Sequence, residues 1–88
     1  KMQAFLIHEL VIAADVAEEA REFYRGEIGG DPPETIAAAS PDLQVRCGDG
    51  ALKTIRDRIN EELDARNSWL RMGVPCDLHW PFIVGTRP

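Results

Sequence analysis

The chain has 88 residues, 44% of them hydrophobic and 28% charged, with a formal net charge of −5 at pH 7. That length holds one hydrophobic core and no second, so residues 1–88 are read as a single domain of modest stability, globular rather than disordered. The acidic balance argues against direct nucleic-acid binding and against attachment to an anionic membrane, both of which need surplus Lys and Arg.

Lys1 precedes Met2, which reads as an added residue before the native start. Residues 2–13 (MQAFLIHELVIA) mix β-branched and aromatic residues over the length of one long strand. Phe5, Ile7 and Glu9 fall on one of its faces, and Leu6, His8 and Leu10 on the other. Two apolar faces imply either a central strand covered on both sides or a strand whose second face meets another copy, a homodimer through residues 2–13. The run is too short to span a membrane, and it lacks a basic leader and carries His8 and Glu9, so it is not read as a signal sequence and the chain is expected in the cytoplasm.

Asp15-Val16-Ala17-Glu18 fits a capping box, and Val16, Ala20, Phe23, Tyr24 and Ile28 then recur at helical spacing. Glu18 and Glu19 occupy the first turn, where the helix dipole favours negative charge, and Gly29-Gly30 closes the helix. Asp31-Pro32-Pro33-Glu34 cannot continue it, and a short helical turn over 35–39 is stopped by Ser40-Pro41. Leu43, Val45 and Cys47 alternate with Gln44 and Arg46 as in a half-exposed strand, which Gly48-Asp49-Gly50 ends.

A second helix is expected over 51–72, with Leu52, Ile55, Ile59, Leu63 and Leu70 as its buried stripe and Gly73 and Pro75 at its end. Arg66 interrupts the stripe, where its stem can pack while its head snorkels to water, and Glu62 precedes it by four residues in the favoured orientation. Leu78, Trp80, Phe82 and Val84 share a period of two, which reads as a last strand confined to an edge by Pro81. The expected fold is α+β: a small two-layer domain ordered β-α-β-α, with a C-terminal edge strand and both helices on one sheet face.

Cys47 and Cys76 are too few for a disulfide scaffold and read as reduced thiols. Together with His8 and His79 they include every Cys and His, but a structural zinc needs two close pairs and only Cys76-Asp77-Leu78-His79 supplies one, so no metal is expected. No nucleophile motif and no phosphate-binding glycine loop is present, so the chain is read as a non-enzyme without cofactor.

Partner contacts are expected at two places. Glu18, Glu19 and Glu22 on the first helix offer an acidic docking face for a basic partner, set against the simpler reading of a solvated helix face. Trp80 and Phe82 either plug the tail into the core or form an exposed aromatic hot spot.

The run AFLIHELVIAADVAEEAREFY, through Val11-Ile12-Ala13-Ala14-Asp15, Glu18-Glu19-Ala20 and Phe23-Tyr24, resembles the opening of small orphan proteins of phages and plasmids, among them some anti-CRISPR and other anti-defence proteins. The resemblance covers residues 2–28 and carries over no functional residue. It implies a non-enzymatic inhibitor or adaptor that binds a protein partner such as a host defence complex. A subunit of a phage or toxin-neutralising assembly, and a small enzyme or zinc-dependent module, stand as alternatives.

Overall fold

The structure is a computed structural model and describes residues 2–76 and 81–88. Residues 2–13 form not one strand but most of a hairpin, β1 (Gln3–Ile7) and β2 (Leu10–Ala14), paired antiparallel from Gln3↔Ala14 to Ile7↔Leu10. The two-residue loop His8-Glu9 makes the reversal, and His8 has φ 54°. A positive φ at the first position of a two-residue hairpin loop is a conformation that glycine or asparagine normally supplies. Histidine tolerates this conformation better than a β-branched residue does. His8→Val should therefore lower stability by about 1 kcal/mol relative to His8→Gly, read as a difference in thermal unfolding between the two variants.

After the hairpin come α1 (Ala17–Glu27), β3 (Ala37–Ala38), β4 (Gln44–Arg46), β5 (Leu52–Thr54), α2 (Ile55–Arg71) and β6 (Phe82–Thr86). Among the described residues the strands form one sheet in the order β3-β1-β2-β6-β4-β5, antiparallel at every junction and curved into a half-barrel. This overturns the expected two-layer β-α-β-α arrangement. The chain is richer in strands than that pattern, because the first run folds back on itself and residues 37–38 and 52–54 add strands of their own.

The helices also lie on opposite faces of the sheet rather than on one. Alternation along β1 and β2 sends Ala4, Leu6, Val11 and Ala13 to one side, where they pack with Val45, Phe82, Val84 and the α2 residues Ile55 and Ile59. Phe5, Ile7, Ile12 and Ala14 go to the other side and meet Ala20, Phe23 and Tyr24 of α1. Both apolar faces of residues 2–13 are thus consumed within the chain, with Ile7, Val11 and Ile12 essentially inaccessible. That removes the physical reason for a homodimer through this segment.

The first helix starts and stops close to where its sequence indicates. Val16 is the capping position, and the reach-back comes from Glu19 rather than Glu18: its carboxylate accepts the Asp15 N–H at 3.2 Å. Gly29, at φ 90°, donates to the Tyr24 carbonyl at 3.2 Å and ends the helix. Val16 and Ile28, counted into the apolar stripe from sequence, are exposed, and Phe23 is half-buried; Ala20 and Tyr24 make the contact.

The second helix begins four residues later than expected. Residues 48–50 form the loop of a second hairpin, β4–β5, in which Asp49 Oδ1 accepts the Ala51 N–H at 3.0 Å. Thr54 then caps α2 by accepting the Asp57 N–H at 3.1 Å. The next free amides find carbonyls in the segment entering β4: Ile55 N–H donates to Leu43 at 2.9 Å and Arg56 N–H to Pro41 at 3.0 Å. These bonds strap residues 41–43 to the start of α2.

The last strand is not at an edge. It lies between β2 and β4, and Pro81 sits outside it, so the missing amide hydrogen costs no ladder bond. Its register against β2 jumps from Val11↔Gly85 to Ile12↔Ile83, which leaves Val84 as the extra residue of a bulge. Gly85 is needed there, because a Cβ would lie 2.7 Å from the Arg46 carbonyl oxygen and would force β4 away. No helix among the described residues is long and apolar enough to cross a membrane.

Candidate functional site

The acidic face is carried by α1. At 100° per residue Glu18 and Glu22 stand one turn apart on the solvent side, opposite buried Ala20 and Tyr24, with Glu19 beside them. The three carboxylates are not equivalent. Glu18 is held between Arg21 at 3.4 Å and Arg25 at 3.9 Å. Arg21 also donates to the Pro33 carbonyl, tying the helix to the loop that follows it. Glu19 is occupied with the Asp15 amide. Glu22 forms no ion pair with any described residue, so its charge is the least compensated of the three.

Phe82 lies elsewhere. Its ring is 7% exposed and packs in the cluster on the α2 side of the sheet, whereas the α1 glutamates lie beyond the other side. Of the two roles considered for it, the structure gives it the one inside the core. Trp80 falls outside the described residues; among the described candidates the acidic residues of α1 share one exposed surface.

A charged ladder running from β5 along α2 went unnoticed in the sequence beyond one of its steps. Lys53 Nζ lies 2.7 Å from Glu61; Arg58 lies 3.6 Å from Glu61 and 3.9 Å from Glu62; Glu62 in turn lies 3.3 Å from Arg66. The signal was the spacing of Arg58, Glu61, Glu62 and Arg66 at three and four residues. The hydrogen bond between Lys53 and Glu61 holds the Glu61 carboxyl below the usual carboxylate range and raises the Lys53 ammonium. Arg58 Nε donates to the Val84 carbonyl at 3.1 Å, which fastens the ladder to the bulge of β6.

Arg66 departs from the snorkelling expected of it. It is 1% exposed, with its guanidinium 4.6 Å from the centre of the Phe82 ring, and its carbonyl accepts from the Cys76 thiol at 3.5 Å. Cys47 and Cys76 are both free and half-buried. His8 stands in the exposed β1–β2 turn with its ring 5.8 Å from that of Tyr24. Among the described residues no three His, Cys, Asp or Glu side chains stand close enough to hold a metal ion, and His79 lies outside them.

The α2 side of the sheet also holds a cleft of about 440 Å³ beside the 41–43 strap, floored by Leu6, Val11, Val45 and Ile55, with Arg87 at its rim. No protein-family model matches this chain, and no curated protein and no solved structure matches it.

Proposed function

We propose that the chain is a non-enzymatic protein-binding module, an inhibitor or adaptor that docks a basic partner through the solvent face of α1, and that its setting is a phage or mobile element acting against a host defence complex. The observation that supports this reading is the placement of Glu18 and Glu22 one turn apart on a helix face that takes no part in the core, with Glu22 unneutralised by any described residue. Such a face raises the association rate with a positively charged surface more than it adds affinity.

Glu22 is the clean probe, because Glu18 is tied to Arg21 and Glu19 to the helix start. Glu22→Lys should leave the melting temperature within about 1 °C and slow association with a basic partner roughly tenfold at low salt, the difference shrinking as salt is added. Affinity capture from cells of a defence-carrying bacterium, followed by association kinetics on the captured protein, reads this directly. Association unchanged by Glu22→Lys would remove α1 as the docking face. Phage plating on the same bacterium should rise when the chain is expressed; plating that stays constant would remove the anti-defence setting.

A further inference from the structure

The cleft beside the 41–43 strap lies on the opposite side of the sheet from the proposed docking helix, and its chemistry is different. Its floor is rigid, because Val11, Val45 and Ile55 are each 1% exposed and belong to the core cluster of β2, β4 and α2. Leu6 and Leu43 extend this floor into an apolar wall. A volume of about 440 Å³ falls within the range of roughly 300–1,000 Å³ typical of small-molecule sites.

The charges on the rim select the ligand. Asp42 is compensated, since its carboxylate meets the Arg56 guanidinium at 2.5 Å. Arg87 makes no ion pair with any described residue. Among the described residues its guanidinium makes one long bond, from Nη1 to the His8 carbonyl at 3.4 Å, while its backbone N–H is anchored on the Glu9 carbonyl at 2.8 Å. The lining therefore combines an apolar floor with one positioned cation whose Nε and Nη2 donors, unengaged among the described residues, can take a carboxylate in two parallel hydrogen bonds. Arg87 is a single cation, and Asp42 on the same rim is already neutralised by Arg56, so one negative charge on the ligand is matched.

We propose that this cleft binds a small amphipathic monocarboxylate, with its aliphatic or aromatic body against Leu6 and Leu43, over the buried floor of Val11, Val45 and Ile55, and its carboxylate on Arg87. The site is independent of the α1 face, and its test does not involve a protein partner.

Octanoate and octan-1-ol are the probes, titrated against the whole chain and followed by methyl NMR of Leu, Val and Ile. Octanoate should give saturable shifts centred on Leu6, Leu43, Val45 and Ile55, and octanol should bind at least tenfold more weakly. Arg87→Gln should weaken octanoate about tenfold, the scale of one charge-assisted contact, and leave octanol unchanged. Leu43→Trp, a change at an exposed rim position that fills the cleft, should abolish both. Because Arg87 and Leu43 are outside the core, both variants fold, which their melting temperatures check. Octanol binding as tightly as octanoate, an Arg87→Gln variant with unaltered affinity, shifts centred elsewhere, or no saturation below about 5 mM would each overturn the proposal.

Discussion

Phe82→Ala is expected to lower the unfolding free energy by about 3–5 kcal/mol. The ring opens β6, pairs through its backbone with Ala13, and fills the space between the sheet and α2 in the cluster that contains Val11, Val45, Ile55 and Val84. Removing it leaves a cavity in a small core and takes away the surface under the Arg66 guanidinium. A chain of this length has only about 5–10 kcal/mol of stability in total, so the variant should be close to unfolding at 37 °C. Ile83→Ala is the control: the neighbouring side chain points to the opposite face of the sheet, on the side of its pairing partner Ile12, and is 39% exposed, so its loss should be small. Urea unfolding of the two variants separates them. A Phe82→Ala variant as stable as the parent would mean that the ring faces solvent, and would restore it as a partner contact.

The α1 helix was legible because three signals coincide within one short segment: acidic residues in its first turn, apolar residues at helical spacing of which Ala20 and Tyr24 are buried, and a closing glycine, although the cap is Val16 rather than Asp15. The β1–β2 hairpin was not, because its turn is His8-Glu9 rather than an Asn-Gly or Gly-containing pair, and the only trace of it was that both faces of the run are apolar. The start of α2 was misplaced because Leu52, Ile55 and Ile59 keep helical spacing even though Leu52 lies in β5 and is exposed. The cap Thr54 with Asp57 three residues on was the local signal that would have corrected it. β3 consists of two alanines held against Phe5 and Leu6, and nothing local marks them as a strand. A last strand is present over Phe82–Thr86, with Phe82 and Val84 buried as the period of two indicated, while Leu78 and Trp80 lie outside the described residues; its central position depends on pairing with β2, some seventy residues earlier, and on β4. The same long-range assembly explains the sites: the acidic helix face could be read from spacing alone, whereas the cleft exists only once β1, β4, the 41–43 strap and Arg87 have been brought together.

Arg66 is where a sequence rule fails most instructively, and its substitution is the second large effect. A charged residue in the stripe of α2 would ordinarily lift its head to water, yet Arg66 is among the largest fully buried side chains. Its stem fills the core as a hydrophobic residue would, its Nη2 meets Glu62 at 3.3 Å, and its guanidinium lies over Phe82. Arg66→Ala should cost about 3–4 kcal/mol, combining the cavity left by a long side chain with the loss of the countercharge for a half-buried Glu62. Arg66→Met keeps most of the volume and removes the desolvation of the guanidinium. It should therefore fall within about 1 kcal/mol of the parent, and pairing it with Glu62→Gln should recover most of what is lost at a carboxylate left with Arg58 alone at 3.9 Å. The salt response adds a second readout. Raising NaCl to 1 M should weaken the exposed Lys53–Glu61 contact while leaving the penalty of Arg66→Ala nearly unchanged, because a buried pair is little screened. Equilibrium urea unfolding at low and high salt measures both. An Arg66→Ala variant that melts with the parent would place the guanidinium in solvent, and with it would fall the view that α2 is fastened to β6 through this stacked pair.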